Sequence, residues 1–419
     1  MKWGTIIKKN KFVPILLGSD INVYGTARAI HEKYGIKSIA YSSFQLAPTK
    51  YSKIVDVKII PNFGEGEEFK KSLIDLAHTV HNDPETSYVL IPCGDGYSEL
   101  LAKYKEVLKP YYSFLVNDLS MYEKLIDKAS FYQTCEENGL PYPSTKVINK
   151  ETYDLNLEDV PFQFPVALKP SNSIEWLTID FEGKKKAFII DSFEQLQEIL
   201  AKIYSTSYSD KMILQEFIRG DDSHMRVMNA YVDVKGNVRM MFLGQPLLED
   251  PAPIAVGNYT AILPYYNEDI YNKVADFLKR INFVGYANFD MKYDKKSNEF
   301  KFFEINLRQG RSSYFVTLNG INVPSYIIED LVYKRKFTKT DTWTENQTPK
   351  LWIGTSKKIV RKYSNKNQAK KMADDLMSKG NFGTTLFYSK DFSIKRWILL
   401  HYINFRYLRS FKKYFRKKD

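Results

Sequence analysis

The residues that most strongly suggest chemistry are two carboxylates and an amide in the pattern Asp-x13-Glu-x-Asn, formed by Asp290, Glu304 and Asn306. If the two segments form a hairpin, alternate residues share one face and the three side chains meet. Carboxylate and amide oxygens are ligands that Mg²⁺ prefers. Arg308, two residues further along that face, is placed to hold a phosphate oxygen. A solvated polar strand face has the same pattern, so this segment alone leaves both interpretations open.

Two lysines stand at the edges of predicted elements. Lys169 ends the apolar run 164–169, and Lys128 lies on a predicted helix that Gly139 and Pro141 terminate. Lysines at such positions usually extend into water, so neither position alone indicates a ligand site.

The run 213–218 passes from apolar residues into a loop that carries Asp222. A strand edge of this kind offers backbone amide and carbonyl groups to an adenine. Phe217 and Ile218 then form apolar walls, and Asp222 is placed for a ribose hydroxyl. Each of these elements is common, but their order and spacing together are not.

Taken together, these segments resemble the ATP-grasp superfamily over roughly residues 13 to 335. The resemblance implies a ligase in which Lys169 and Arg308 act on the transferred phosphate. It also implies a set of ligands: Lys128 and Lys169 for the ATP phosphates, Gln215, Glu216, Phe217 and Ile218 for adenine, Asp222 for ribose, and Asp290, Glu304 and Asn306 for Mg²⁺.

One segment departs from the superfamily pattern. A glycine-rich loop usually follows the second lysine, but residues 171–176 contain no glycine, and the nearest one is Gly183, ahead of Lys184, Lys185 and Lys186. The loop that covers the phosphates is therefore left unassigned.

Within the superfamily, residues 17–28 and 215–226 are most similar to the bacterial D-aspartate ligase group, which adds D-aspartate to a peptidoglycan precursor. This resemblance implies D-aspartate as the amino acid and a precursor peptide with a free lysine amine as the acceptor. A plain strand-to-helix turn is the competing interpretation of residues 18–25. The candidate residues for binding the amino acid are Ser19, Asp20, Arg28, Arg308, Arg311 and Ser312.

The predicted reaction begins when a carboxylate attacks the γ phosphorus of ATP, giving an acyl phosphate and ADP; an amine then displaces phosphate. The expected cofactors are ATP and Mg²⁺, and catalysis rests on positioning and electrostatics. A dinucleotide-dependent oxidoreductase is disfavoured, because Gly18-x6-Gly25 lacks the G-x-G-x-x-G pattern. A nucleic-acid-binding protein that uses the basic tail is the other alternative, and no nucleic acid is expected as a partner.

The elements that must position these residues predict an α/β protein with three parts. Buried strands alternating with helices predict a parallel, Rossmann-like α/β domain in residues 1–119, with functional loops at 18–25 and 93–97. Mixed strands and helices predict an ATP-grasp α+β module of two lobes in residues 120–335. Residues 336–419 are predicted to be a basic C-terminal extension.

The composition is that of an ordinary globular protein, with 419 residues, 44% hydrophobic residues and two cysteines. No disulfide framework or secretory segment is indicated, so a reducing cytoplasm is expected. The net charge of +12 is concentrated in the tail, since residues 351–419 hold 18 Lys and Arg against 4 Asp. The remainder, at about −2, is nearly neutral, which argues against polynucleotide binding by the body.

Residues 397–417 are predicted to form a basic amphipathic helix. One face carries Trp397, Leu400, Ile403, Tyr407, Leu408, Phe411, Tyr414 and Phe415, opposite a face of arginines and lysines. Two interpretations stay open: this apolar face enters an anionic membrane surface, placing the enzyme at the inner face of the membrane, or it packs on the body.

Overall fold

The computed structural model describes residues 11–80, 83–171, 173–255 and 257–416. Within these ranges the strands, numbered in chain order, are β1 (Lys11–Leu17), β2 (Ser38–Ser42), β3 (Val55–Ile59), β4 (Thr86–Pro92), β5 (Thr145–Ile148), β6 (Val166–Pro170), β7 (Phe188–Ile190), β8 (Met212–Glu216), β9 (Met225–Val232), β10 (Val238–Glu249), β11 (Tyr259–Tyr265), β12 (Gly285–Asp294), β13 (Glu299–Asn306), β14 (Asp341–Thr342), β15 (Leu351–Ile353) and β16 (Phe382–Gly383).

The α-helices alternate with these strands in the N-terminal part and cluster at the C-terminal end. They are α1 (Ile21–Tyr34), α2 (Gly66–Val80), α3 (Asp95–Lys103), α4 (Lys105–Leu108), α5 (Leu119–Ile126), α6 (Lys128–Asn138), α7 (Ser173–Thr178), α8 (Phe193–Tyr204), α9 (Glu268–Arg280), α10 (Tyr314–Leu318), α11 (Ser325–Leu331), α12 (Lys357–Tyr363), α13 (Gln368–Ser378) and α14 (Ile394–Tyr414).

The chain divides into two compact units. The first unit contains Met1–Leu119, Asp221–Phe289 and Asn306–Lys418, and the second contains Ser120–Gly220 and Asp290–Ile305. The boundaries of the three predicted domains remain a prediction, because this division follows compactness rather than domain identity.

The N-terminal part of the first unit is a parallel sheet with strand order β3-β2-β1-β4. Buried strands with crossover helices give such a sheet, so the predicted α/β architecture is confirmed here. The turn predicted at residues 18–25 is shorter than expected, because α1 begins at Ile21. The Asp20 side chain caps the helix by accepting the N–H groups of Asn22 and Val23.

Gly25 lies inside α1 rather than in a turn. An added Cβ at this position would lie 3.2 Å from Cγ2 of Thr385 and 3.4 Å from Cβ of Tyr314. The glycine therefore permits close packing of the helix against C-terminal residues of the same unit. The sequence pattern had placed Gly25 at the end of the turn at residues 18–25, because a glycine after an apolar strand usually marks a turn.

The large sheet has the order β13-β12-β9-β10-β11-β15-β16, with β14 paired to β10. Three strands of the predicted basic C-terminal extension complete this sheet, so this region belongs to the fold of the first unit. Leu351, Trp352 and Ile353 are buried where β15 pairs with β11 and β16. The net charge of residues 336–419 did not indicate these strands, because a short buried strand contributes little to the composition of a basic region.

The second unit contains an antiparallel sheet with the order β5-β8-β6-β7. Helix α8 begins at its cap Ser192 and packs Leu196, Leu200 and Ile203 into the unit's core. Its apolar residues recur at helical spacing, which places them on the face that covers the sheet. This core holds the strand β6, at whose end Lys169 lies.

Helix α14 packs its apolar stripe on the first unit. Leu400 and Ile403 join one core cluster, while Tyr407, Leu408, Phe411 and Phe415 join another. Six of the eight residues of the predicted apolar face thus pack on the body, as the second interpretation expects, whereas Trp397 and Tyr414 are 48% and 37% exposed. These packed residues are not available to enter a membrane surface. Residue 417 of the predicted helix lies outside the described residues. Among the described helices, none is long and apolar enough to cross a membrane.

Candidate active site

Lys169 lies near the end of β6 and points into a pocket of neutral oxygens and aromatic rings. Its Nζ donates to the Tyr132 hydroxyl at 2.9 Å and to Oε1 of Gln215 at 3.1 Å. The rings of Tyr132 and Phe303 lie 5.4 and 5.6 Å away. Burial lowers the pKa of Lys169 to about 8, against a smaller opposing effect of Glu304. The site therefore holds a cation whose charge is only partly compensated.

Lys128 begins α6, directly after the helix cap Asp127. Burial lowers the pKa of Lys128, and the charges of Lys169 and Lys186 act in the same direction, while Glu304 raises it. We call Lys128, Lys169 and Lys186 the lysine cluster. The charges of Lys169 and Lys186 both act on Lys128, and Glu304 opposes the pKa shifts of Lys128 and Lys169. Three ammonium groups close together form a region suited to a polyanion such as a nucleotide phosphate chain.

Lys186 was not assigned by sequence reasoning. The one available signal was its place in the lysine run after Gly183, whose φ of 84° marks a turn. Residues 173–178 form α7, and Trp176 on this helix is buried in the core, so this segment is not a free loop. The loop that covers the phosphates stays unassigned, and Asn172 lies outside the described residues.

The predicted adenine hinge starts at the end of β8. Gln215 is held within the sheet, with its side chain bonded to Lys169 and to Oγ1 of Thr145 at 2.9 Å, so it positions the lysine. Glu216 accepts the Ser144 N–H at 2.8 Å and pairs with Lys301. The backbone beyond Glu216 leaves the strand ladder.

Phe217 and Ile218 follow β8 directly. Lys292 Nζ donates to the Ile218 carbonyl at 2.9 Å and lies 5.8 Å from the Phe217 ring. Ile218 is buried and Phe217 half-buried. One backbone acceptor of this segment is thus already engaged by Lys292, and the role of the two side chains as walls for adenine stays a prediction.

Asp222 lies in the first unit, next to C-terminal residues that the sequence analysis had left out of the site. Its Oδ2 accepts the Glu249 N–H at 2.9 Å. The pocket beside it is lined by Leu247, Leu248, Tyr363, Asn365 and Phe415. Asn365 also donates to Asp221 at 2.6 Å. No motif in the basic tail indicated this position, since only chain folding brings residues 363–365 to the loop after Gly220.

Arg308 lies on the segment that follows β13, within the first unit. Its Nη2 contacts Oδ2 of Asp95 at 2.7 Å, and its Nη1 donates to the Gln309 carbonyl at 3.1 Å. Asp95 begins α3, in the loop after β4 that was predicted to be functional. The tight ion pair fixes the guanidinium, and sequence reasoning had not paired these two residues.

The loop after Arg308 is held by buried amides. The Gly310 N–H donates to Oδ1 of Asn229 at 2.7 Å. An added Cβ at Gly310 would approach Nδ2 of Asn288 to 2.8 Å, so the close approach requires glycine. The buried Gln309 completes the segment, and its carbonyl accepts Nδ2 of Asn22 at 3.2 Å. These contacts hold the backbone of residues 309 and 310, which lies between Arg308 and Arg311.

Arg311 is less constrained than Arg308. Its Nε lies 3.9 Å from Oδ2 of Asp20, and 44% of its side chain is exposed. Burial raises the pKa of Asp20, while backbone N–H groups and the charge of Arg311 oppose the rise. Asp250 and Tyr407 also interact with Arg311. A partly exposed guanidinium among two carboxylates and a phenol is suited to an anionic group of a small zwitterion.

Of the remaining predicted substrate residues, Ser19 and Arg28 make hydrogen bonds within the protein. Ser19 is buried, donates to the Phe44 carbonyl at 2.7 Å and accepts the Leu46 N–H, so its hydroxyl joins two loops. Arg28 donates to the carbonyls of residues 384, 385 and 387 and pairs with Glu32. These contacts occupy both side chains. Ser312 is half-buried beside Arg311.

The predicted metal ligands lie on the hairpin β12–β13, with Asp290 and Glu304 in the second unit and Asn306 in the first. The described residues contain no group of three or more His, Cys, Asp or Glu side chains that could hold an ion. Nδ2 of Asn306 donates to Oδ1 of Asn288 at 3.4 Å, which orients the Asn306 carbonyl oxygen away from that contact. Two carboxylates and one amide oxygen are donor types that Mg²⁺ prefers, and their use as a metal site stays a prediction.

Comparison with known proteins identifies the family. Over 417 residues, the chain is 51% identical to the D-aspartate ligase of Enterococcus faecium (strain Aus0004), covering 99% of both chains. The chain belongs to the D-aspartate ligase family. No family model matches the chain. The predicted superfamily and the predicted class, an ATP-dependent ligase, are thereby confirmed.

Solved structures support the fold of this D-aspartate ligase family member. An N5-carboxyaminoimidazole ribonucleotide synthetase in complex with ADP matches with a TM-score of 0.59 at 12% identity, over 89% of this chain and 85% of the other. An L-amino acid ligase from Bacillus licheniformis matches with a TM-score of 0.55 at 16% identity, over 77% and 74%. At such identities the likeness shows the shared fold, while the individual site residues stay predictions.

Proposed function

We propose that this ligase joins a carboxylate of D-aspartate to the side-chain amine of a lysine in a peptidoglycan precursor peptide, with ATP converted to ADP and phosphate. The observation that carries the proposal is the 51% identity to a D-aspartate ligase along nearly the whole chain. In the first step a carboxylate oxygen bonds to the γ phosphorus and ADP leaves. In the second, the amine attacks the acyl carbon, phosphate leaves and the amine gives up a proton.

The lysine cluster is proposed to bind the phosphate chain of ATP. Lys169 and Lys128 lie in buried surroundings, so an anion entering there meets charges that water screens poorly. Lys186 adds a third charge on the same site. Phe217 and Ile218 are proposed to contact the adenine, and Asp222 the ribose.

Mg²⁺ is proposed to bind Asp290, Glu304 and the Asn306 carbonyl oxygen. When bound there, the ion neutralises phosphate charge. The residues of the chain then have separate roles: Glu304 also balances the lysine cluster, and Arg308, fixed by Asp95, steadies the transferred phosphoryl group.

The amino acid is proposed to bind near Arg311, Asp20 and Ser312. D-aspartate carries two carboxylates and one ammonium group, and it therefore needs cations and a carboxylate close together. The partly exposed Arg311 offers the cation, and Asp20 the carboxylate. Ser19 and Arg28 are left out of the proposed site, because their polar atoms already hold the fold.

The experiment that tests this function measures ADP release from ATP with different amino acids and acceptors. D-aspartate with a nucleotide-linked precursor peptide that has a free lysine amine should release ADP, and L-aspartate should not. Replacing the lysine of the acceptor by its acetylated form should abolish product. Release of AMP and pyrophosphate would contradict the mechanism, and a preference for another amino acid and amine pair would correct the substrates alone.

A further inference from the structure

The outward side of helix α14 exposes a continuous stripe of large side chains. The packed stripe of this helix faces the first unit, and the opposite side carries apolar and aromatic residues with exposed fractions from 52% to 71%. These residues are Ile394, Ile398, Tyr402 and Phe405, and Trp397 is 48% exposed at the border with the packed stripe. Surface apolar residues are usually scattered, so a contiguous set on one helix indicates a contact surface.

The second half of the same side is cationic. At 100° per residue, Arg409 and Lys412 continue the line of Ile394, Ile398 and Phe405 within an arc of about 60°. We call this line the outer face of α14. It is apolar towards the start of the helix and basic towards its end.

The charges of the outer face lack carboxylate partners among the residues that the structure describes. Helix α14 contains no Asp or Glu, and Lys395, Arg406 and Lys413 flank the face. Across the part of the chain that the structure describes, none of these five cations forms an ion pair with a carboxylate within 4.0 Å. An anionic partner would meet charges that are already exposed.

The helix is held in place before any partner arrives. Arg396 is fully buried, with its Nε 3.0 Å from Oδ2 of Asp391 and its Nη1 bonded to the carbonyls of Pro48 and Lys50. Leu400 and Phe411 are buried on the inner side. Docking of the outer face therefore does not require the helix to fold, which removes an entropic cost.

We propose that the outer face of α14 docks on an anionic lipid surface. The isoleucines and Phe405 enter the boundary between headgroups and acyl chains, Trp397 and Tyr402 lie at the polar interface, and the cations contact lipid phosphates. Ile394 and Ile398 favour lipid over a polynucleotide, because aliphatic side chains cannot stack on bases as aromatic rings do. The surface differs from the packed stripe that the sequence pattern had suggested.

The test is co-sedimentation of the full chain with vesicles of phosphatidylglycerol and phosphatidylcholine at low salt, beside vesicles of phosphatidylcholine alone. Binding should be restricted to the anionic vesicles and should be lost near 1 M salt, where the screening length falls to about 3 Å. Equal binding to neutral vesicles, or none to either, overturns the proposal.

Paired substitutions measure separately how much the apolar half and the basic half of the outer face contribute to vesicle binding. The Ile398→Ser, Phe405→Ser pair should weaken vesicle binding by at least about tenfold, and the Arg409→Gln, Lys412→Gln pair by about tenfold. Matched controls at other exposed positions, Leu157→Ser with Val234→Ser and Lys295→Gln with Lys296→Gln, should bind as the unchanged protein does. Thermal unfolding verifies that every variant is folded.

Two results decide against a lipid partner. If the apolar pair binds vesicles normally, the attraction comes only from the net charge of the chain. If a polynucleotide binds more tightly than the vesicles and the arginine and lysine substitutions abolish that binding, the surface serves nucleic acid.

Discussion

Lys169 and Arg396 are two cations in enclosed sites, and the protein compensates their charges in different ways. Lys169 in the second unit is bonded to a phenol and an amide oxygen, and it forms no ion pair among the described residues. Arg396 in the first unit pairs with the buried Asp391 at 3.0 Å and donates to two backbone carbonyls. Asp391 also accepts from the hydroxyls of Tyr24 and Ser52.

The difference separates a binding role from a structural one. A buried charge without an opposite charge is costly, and an anionic ligand relieves that cost when it binds. A buried charge that lies against a carboxylate and donates to carbonyls has its charge compensated and ties its chain segments together, even though Nη2 of Arg396 has no hydrogen-bond partner among the described residues. The four predictions below test this comparison in order of expected effect.

Arg396→Met should lower the free energy of unfolding by about 3–5 kcal/mol, because Asp391 loses its charged partner while remaining buried. Denaturant titration measures the loss. Lys395→Met, at the exposed neighbouring position, is the control and should change stability by less than about 0.5 kcal/mol. Adding Asp391→Asn should recover part of the loss. A stable Arg396→Met protein would contradict the structural role.

Lys169→Met should reduce the rate of ADP release by about 10²–10³-fold, because a charge directed at the transferred phosphates is removed. The free energy of unfolding should stay the same or rise, since an incompletely compensated charge leaves the interior. Lys185→Met, an exposed lysine of the neighbouring loop, is the control for activity. If Lys169→Met unfolds the protein instead, the distinction between the two cations fails.

Asp95→Asn should reduce kcat by about ten- to a hundredfold, since Arg308 loses a charged hydrogen bond. Arg308 is an intermediate case, with one carboxylate and one carbonyl as partners. The KM for ATP should change less than kcat if the pair orients Arg308 for the transition state. Asp95→Glu should restore part of the rate, and Glu99→Gln, on the exposed side of α3, should behave normally. A pure loss of stability would assign the pair to folding alone.

Raising the pH above about 8 should lower kcat/KM for ATP by up to tenfold per unit, because free Lys169 has a pKa of about 8 and loses its charge there. Lys169→Arg should move this decline to higher pH. Stability should respond in the opposite direction. The unfolded lysine keeps its usual pKa of 10.5, so between pH 8 and 10.5 the unfolded state binds more protons and folding becomes more favourable as the pH rises. This rise should be absent in Lys169→Met.

Several features of the site were predictable because they depend on local sequence. The apolar strand before Lys169, the helix at Lys128 and the hairpin with Asp290 and Glu304 all follow from periodicity and breaker residues. The start of α1 was not predictable in this way, because Asp20 was interpreted as a loop residue rather than as the helix cap. The competing possibility of a plain strand-to-helix turn described residues 18–20 more closely.

The contacts that individual side chains make were less predictable than the positions of the residues in helices, strands and loops. Gln215 and Arg28 lie where family patterns place binding residues, yet their polar atoms hold Lys169 and the carbonyls after residue 383. A hydrogen bond between residues far apart in the chain produces no periodic pattern in the sequence. The same reason explains why Lys186 and the Asp95–Arg308 pair were not identified.

The sequence by itself determined the reaction class, because the lysines, the acidic hairpin and Arg308 stand in an order that few other functions require. Its charge distribution also identified the tail as the cationic part of the chain. Only the tertiary structure decided that β15 and β16 complete the large sheet and that α14 packs one stripe and exposes the other. Periodicity reveals that a helix has an apolar face, but a partner surface many residues away selects which face is buried, and that selection depends on packing.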